Sequence, residues 1–229
     1  IASAVPVLTL ESVESRYWVP VAIQVKGGVP SGLWFMRSLW GVGGDGVNEG
    51  LEYFDLASGA IYEALPLDMP YLRFSSLSPD QTWIAFSRLK EEGGSEFFIR
   101  NLAGGEPLNI PLLPENQGAG NGIFSTTNKY LAWSESRGSL YDGNFQQTVR
   151  VATLDGQEIA KFTDTAFYKT AGIDAGNSVK LIGWLDNEAF LAQVIEVEKP
   201  HNGTLIKVNI QTGQLTLFAE GHFAGWFYP

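Results

Sequence analysis

One punctuation recurs four times and constrains the fold of this chain more than any other feature. An apolar run with strand-like composition ends in a small turn containing Gly, and a second run follows. The copies are Tyr53-Phe54-Asp55-Leu56-Ala57-Ser58-Gly59-Ala60, Ile99-Arg100-Asn101-Leu102-Ala103-Gly104-Gly105-Glu106, Val151-Ala152-Thr153-Leu154-Asp155-Gly156-Gln157 and Val208-Asn209-Ile210-Gln211-Thr212-Gly213-Gln214. They stand about 46, 52 and 57 residues apart, a period typical of repeat architectures. Glycine at this place supplies the positive φ of a tight hairpin, which bulky residues resist.

A second turn precedes each copy. Its clearest form is Leu77-Ser78-Pro79-Asp80-Gln81-Thr82-Trp83-Ile84-Ala85-Phe86-Ser87. Pro79 pre-sets φ and Asp80 can accept bonds from its own backbone, so the pair reads as a turn. Looser copies are Ser125–Ser134 and Gly183–Ala192. In the first repeat Leu33-Trp34-Phe35-Met36 holds the place of the second strand. Each repeat therefore reads as strand, tight turn, strand, long loop, strand, Gly turn, strand. Helical periodicity is almost absent, and Val149, Val151 and Leu154 read as strand beside an Asp-Gly turn. The expected class is all-β. A β-sandwich also uses short strands and Gly turns, but the repeated order of turn types favours a β-propeller of four-stranded antiparallel blades.

The stretch Ser78-Pro79-Asp80-Gln81-Thr82-Trp83-Ile84-Ala85-Phe86 resembles the repeat of TolB-like (WD40-like) β-propellers. The usual form of that repeat is Ser-Pro-Asp-Gly-Lys, one variable residue, then Ile-Ala-Phe. Leu102 to Glu106 is similar to the family's later turn. The match is good in one repeat, partial in two and faint in the first, where the Ser-Pro-Asp turn is missing. The resemblance implies fold only: such repeats occur in translocation proteins, in propellers attached to peptidases and in many exported proteins.

Four repeats are expected, at about 17–66, 71–114, 121–163 and 178–219 of a single domain, 1–229. Residues 220–229 read as a further strand that closes the ring or opens another blade. The expectation is a ring of about five blades counting both termini, with a stretch of a larger propeller as the alternative.

Composition narrows the function. A formal net charge of −10 with scattered Lys and Arg argues against nucleic acid as a partner. The chain has no Cys, which excludes disulfides, thiol chemistry and Cys-based zinc sites. No run approaches a membrane span, so an integral membrane protein is not expected. The opening Ile1-Ala2-Ser3-Ala4-Val5 contains a small-x-small triplet like an export cleavage site, and the expected location is extracytoplasmic: periplasmic, secreted or surface-attached.

Sites are expected on the longer connections, which an antiparallel blade sends to one side: 41–50, 88–96, 134–147 and 195–203 between second and third strands, and 163–178 between repeats. Loops held by a rigid scaffold are where binding concentrates. The richest segment is Ser136–Phe145, with Arg137, Tyr141, Asp142 and Phe145; Phe167 and Tyr168 lie in a neighbouring connection. Arg and Tyr are typical anchors of interfaces. The alternative for these rings is local packing over the blade ends.

Catalytic patterns are sparse. Gly41-Val42-Gly43-Gly44-Asp45-Gly46 fits a phosphate-binding spacing, but a strand follows it where a helix is required. Asp45, Asn48 and Glu49 do not match a calcium-loop spacing. Two histidines, His201 and His222, preclude a multi-histidine metal site within this chain. Glu196/Glu198 and Glu91/Glu92 are the carboxylate pairs a glycosidase would need. No cofactor and no metal is expected. The leading expectation is a non-catalytic exported propeller that binds a protein or small-molecule ligand on its loop-rich side. The alternatives are a propeller-type glycoside hydrolase or lyase, and the propeller portion of a larger peptidase-like enzyme.

Overall fold

The computed structural model describes residues 16–40, 46–65, 72–139, 142–174, 177–196 and 203–224. The chain forms two compact units, Ile1–Leu72 and Arg73–Pro229. Among the described residues sixteen strands build four antiparallel four-stranded arrays, each ordered as in the sequence, which is the blade of a β-propeller.

The first unit is one blade: β1 (Arg16–Lys26), β2 (Val29–Trp40), β3 (Gly46–Asp55) and β4 (Ile61–Leu65). Where the other repeats carry a Ser-Pro-Asp-type turn, β1 and β2 are joined by Gly27-Gly28, with φ of 57° and 80°. Arg37 on β2 pairs with Glu52 on β3 and, at 2.9 Å, with Glu63 on β4. The Trp18 indole donates to the same Glu52 at 2.7 Å, so one carboxylate ties three strands of the blade.

The second unit holds three blades. They are β5 (Leu72–Leu77), β6 (Trp83–Leu89), β7 (Ser95–Asn101) and β8 (Leu108–Ile110); β9 (Gly118–Phe124), β10 (Tyr130–Arg137), β11 (Gln146–Thr153) and β12 (Glu158–Thr163); and β13 (Ser178–Trp184), β14 (Ala189–Ile195), β15 (Gly203–Asn209) and β16 (Leu215–Glu220). Two apolar layers lie between their facing sheets. β10 shows how. Leu131 and Trp133 enter the layer shared with the blade before, where the Trp133 ring stacks on Phe97 with centroids 6.1 Å apart. Tyr130 and Ala132 enter the layer shared with the blade after, where Tyr130 stacks on Trp184. Side chains alternate across a strand, so a strand covered on both faces reads as a continuous apolar run.

The recurrent turns owe their residues to hydrogen bonding. Ser78 is 1% exposed. Its hydroxyl donates to Asp80 and accepts the Thr82 and Trp83 amides at 3.1 and 2.9 Å. Ser125 accepts the Tyr130 amide, and Asp186 accepts those of Glu188 and Ala189. Gln81 and Asn128 stand in the left-handed region, φ 57° and 59°, which explains the Gly usual there in similar repeats. The later turns begin with Asp55, Asn101 and Asn209, whose side-chain oxygens accept amides two or three residues on. Neighbouring turns are also clasped: Asn187 accepts from Thr126 and Thr127, and Asn128 bonds Asp80. Ser78→Ala is expected to cost about 1 kcal/mol, because the Trp83 amide loses its side-chain acceptor while the Thr82 amide keeps Asp80. Urea titration of the two proteins measures it.

Two expectations change. The second-to-third-strand connections are shorter than the sequence suggested, because strands run on into them: β6 and β7 leave only 90–94, and β10 and β11 only 138–145. Arg88 and Glu96, expected in a loop, are cross-strand partners joined at 2.7 Å. The connection 163–178, expected as loop, contains an α-helix, α1 (Asp164–Ala171). Of the expected strand at 220–229, Glu220 ends β16, residues 221–224 are not strand, and residues 225–229 lie outside the described residues.

Candidate functional site: a cleft beside helix α1

Three connections of the second unit converge on one cleft. They are the segment between β8 and β9, the β10–β11 hairpin and the start of α1. The cleft measures about 400 Å³, within the range of small-molecule sites.

Each wall is held from behind. The β8–β9 segment is anchored by Glu135 of β10, whose carboxylate accepts the Leu113 amide at 2.9 Å and the Asn116 side-chain amide at 2.8 Å. Glu135 is fully buried. Burial by itself raises its pKa, but bonds from Asn116, the Leu113 amide, Arg150 and Trp133 outweigh it, and the carboxyl sits below the usual glutamate range. Arg150 also bonds Glu158 at 2.7 Å and lies over the Trp133 ring.

The hairpin closes on itself. Gly138 takes φ 72°, and a Cβ there would lie 2.4 Å from the Asn144 carbonyl oxygen. Asn144 accepts the Ser139 amide at 2.7 Å, and the Arg137 guanidinium donates two bonds to Gln146. Arg137 thus lies along the cleft rim, where Glu115 and Asp164 are the lining carboxylates, and forms no ion pair among the described residues.

Helix α1 forms the third wall. Asp164 accepts the Thr165 amide at its first turn, and its other oxygen accepts the Gln147 amide of β11 at 2.8 Å. Gly172 ends the helix at φ 70°. Phe167 is 0% exposed and packs edge-on against Phe162. Tyr168 donates its hydroxyl to the Asn177 carbonyl at 2.5 Å. Burial and the nearby Asp164 carboxylate raise the phenol's pKa, so it stays neutral.

Of the residues singled out in the sequence, Arg137, Phe145 and Tyr168 line the cleft together. Asp142 is exposed on the hairpin beside it, and Tyr141 lies outside the described residues. Phe167 points the other way, into the core, where it anchors α1 and offers no surface. Lys161, Gln146 and Asp164 also line the cleft and were missed. Lys161 sits on a strand, where a lone charge is unremarkable. Asp164, Lys169 and Gly172 were the available signals for a helix: acid first, base last, glycine beyond.

Other candidates are dispersed. Glu91 and Glu92 are exposed on the β6–β7 turn; Glu196 is half-buried just beyond β14, and its expected partner Glu198 lies outside the described residues, as do His201 and Gly41–Asp45. His222 is exposed and meets Gln193 at 2.7 Å. Among the described residues no three His, Cys, Asp or Glu side chains converge as a metal site. No helix among them is long and apolar enough to cross a membrane.

No family model matches this sequence, and no curated protein sequence matches it. Solved structures do. The acylaminoacyl peptidase of Pyrococcus horikoshii superposes with a TM-score of 0.57 at 12% identity, over 89% of this chain and 33% of that one. The β-propeller domain of the Trilobed protease from Pyrococcus furiosus, described as having an open velcro topology, gives 0.53 at 15% identity, over 90% and 58%. TolB from Acinetobacter baumannii gives 0.50 at 10% identity, over 84% and 42%. The fold is that of a TolB-like β-propeller. The propeller described here spans about a third of the length of the acylaminoacyl peptidase it matches, and identities this low speak for architecture alone.

Proposed function

We propose that this propeller is a non-catalytic recognition domain that works outside the cytoplasm and binds a protein or small-molecule ligand in the cleft beside α1. The observation that carries the reading is the convergence of Arg137, Phe145 and Tyr168 on one cleft of about 400 Å³. Phe145 supplies apolar area, and the edge of Tyr168, held by its bond to the Asn177 carbonyl, adds to it at little entropic cost. Arg137 and Lys161 supply direction for acceptor groups of a ligand. The side chains of Gln146 and Asn116 carry both donors and acceptors, which suits amide or hydroxyl groups. Glu135, the fully buried carboxylate behind the cleft, is ion-paired and low in pKa, the character of a structural brace rather than of a proton donor.

A second reading is favoured by the structural comparison: the propeller as one portion of a larger peptidase-like enzyme, with the cleft facing its substrate or its catalytic part. The match to a third of an acylaminoacyl peptidase supports it. Both readings put binding in the cleft and chemistry elsewhere.

The experiment is affinity capture from native envelope extract with the wild-type chain and with Arg137→Ala/Phe145→Ala. A specific ligand or partner is expected to be retained at least about tenfold less by the double variant, as for paired interface anchors. Equal recovery by both proteins defeats the cleft as the contact surface.

A further inference from the structure

We propose that the propeller carries a carboxylate-binding pocket, separate from the cleft, between the first two blades of its second unit. A cavity of about 370 Å³ opens between β5, β6 and β7 on one side and β9 and β10 on the other. Its wall is hydroxylic, with Ser75, Ser87 and Ser136 from three different strands and the Asn121 amide from a fourth. Arg73 on β5 is the one charged side chain among its lining residues.

The cavity follows from the glycines of β9. A Cβ on Gly122 would stand 2.4 Å from the buried Phe97 ring, and one on Gly118 would stand 3.0 Å from the Ser95 hydroxyl. The strand therefore lies close against the preceding blade at those points. At Gly120 the corresponding distance to the Ser87 hydroxyl is 3.5 Å, and space is left above it. The β9–β10 register shifts between Ala132 and Ser134, and Asn121 takes φ 55° at this bulge, which brings its side chain to the cavity wall. Bulges commonly re-aim a side chain in this way.

Two hydroxyls are already committed: Ser95 exchanges bonds with the Ala119 amide and carbonyl, and Ser134 donates to the Gly120 carbonyl. Arg73, Ser75, Ser87, Asn121 and Ser136 have no side-chain hydrogen bond or ion pair among the described residues. Ser87 is 4% exposed. Its hydroxyl lines the cavity without a protein partner and is free to bond a polar occupant.

The donors point to a single negative charge. One guanidinium, three hydroxyls and an amide suit an acceptor-only group, and the planar fork of Arg matches a carboxylate. A phosphate monoester would bring nearly two charges against one cation, on a chain whose net charge is −10. Phe74 and Leu89 give the rest of the ligand an apolar wall. The volume admits a small carboxylic acid or the last residue of a peptide.

The test is calorimetric titration of the whole chain with N-acetylleucine, the peptide acetyl-Ala-Ala-Leu, that peptide's C-terminal amide, and inorganic phosphate. The acids are expected to bind, and the amide at least about tenfold more weakly, the loss of a charge-assisted pair. Arg73→Ala is expected to weaken the acids by a similar factor with unchanged thermal stability, since Arg73 is exposed. Lys180→Ala, which removes a charge from an exposed position on β13, should bind as wild type does. Tighter binding of the tripeptide identifies a peptide C-terminus, and equal binding of the two acids a small free acid. Equal binding of acid and amide, undiminished binding by Arg73→Ala, preference for phosphate, or no binding of any acid overturns the proposal.

Discussion

Glu135→Ala is expected to lower the stability of the second unit by about 3 kcal/mol, roughly 6–12 °C in Tm for a chain of this size. Glu135 is fully buried and accepts from four directions: Arg150, the Trp133 indole, the Leu113 amide and the Asn116 side chain. Removing it strands three neutral donors. Arg150 keeps Glu158 and the Pro111 carbonyl, which holds the loss to the lower part of the range for broken buried pairs. The same substitution should loosen the β8–β9 wall and weaken ligand capture by the cleft. The effect depends on pH. The folded carboxyl lies below the ordinary glutamate value of 4.5. Its stabilisation is therefore complete above that value and is lost as pH falls through the folded pKa. The gap between wild type and Glu135→Gln should be constant near neutrality and shrink below about pH 4.5. Guanidinium titrations from pH 3 to 8 measure this; a gap that widens in acid contradicts the assignment.

Phe167→Ala is expected to cost about 3–5 kcal/mol, the range for emptying a buried aromatic site. Phe167 has no exposed surface and packs with Phe162, Tyr168 and the β13–β15 residues of the second apolar layer. A helix of eight residues does not persist without such an anchor. The α1 amides should therefore lose most of their hydrogen-exchange protection, and the Tyr168–Asn177 bond should go with them. Were Phe167 a surface contact instead, stability would be unchanged and only binding would fall. Denaturant midpoints and hydrogen exchange separate the two outcomes.

Much of this architecture is legible in the residues because turns are local. Ser78, Pro79 and Asp80 satisfy one another within a few positions, and so do Asp55, Asn101 and Asn209 in the later turns; such chemistry needs no distant partner. Strand identity follows from the bounded apolar runs between turns. Helix α1 left only the faint signal of Asp164, Lys169 and Gly172, because eight residues give about two helical turns and its stability comes from Phe167 meeting another blade. The orientation of Phe167 and Tyr168 was hidden for the same reason: adjacent aromatic letters do not say which ring a neighbouring sheet will cover.

The sequence by itself determined the blade: four antiparallel segments, their turn types and the repeat that orders them. Only the tertiary structure decided what those blades bring together. Arg137, Phe145 and Tyr168 meet across about thirty residues of chain, and Arg73, Ser87 and Ser136 across about sixty. The physical reason is that hairpin geometry is set by backbone conformation and short-range hydrogen bonds, whereas a cleft or pocket is set by which faces of separate sheets pack, and at what distance.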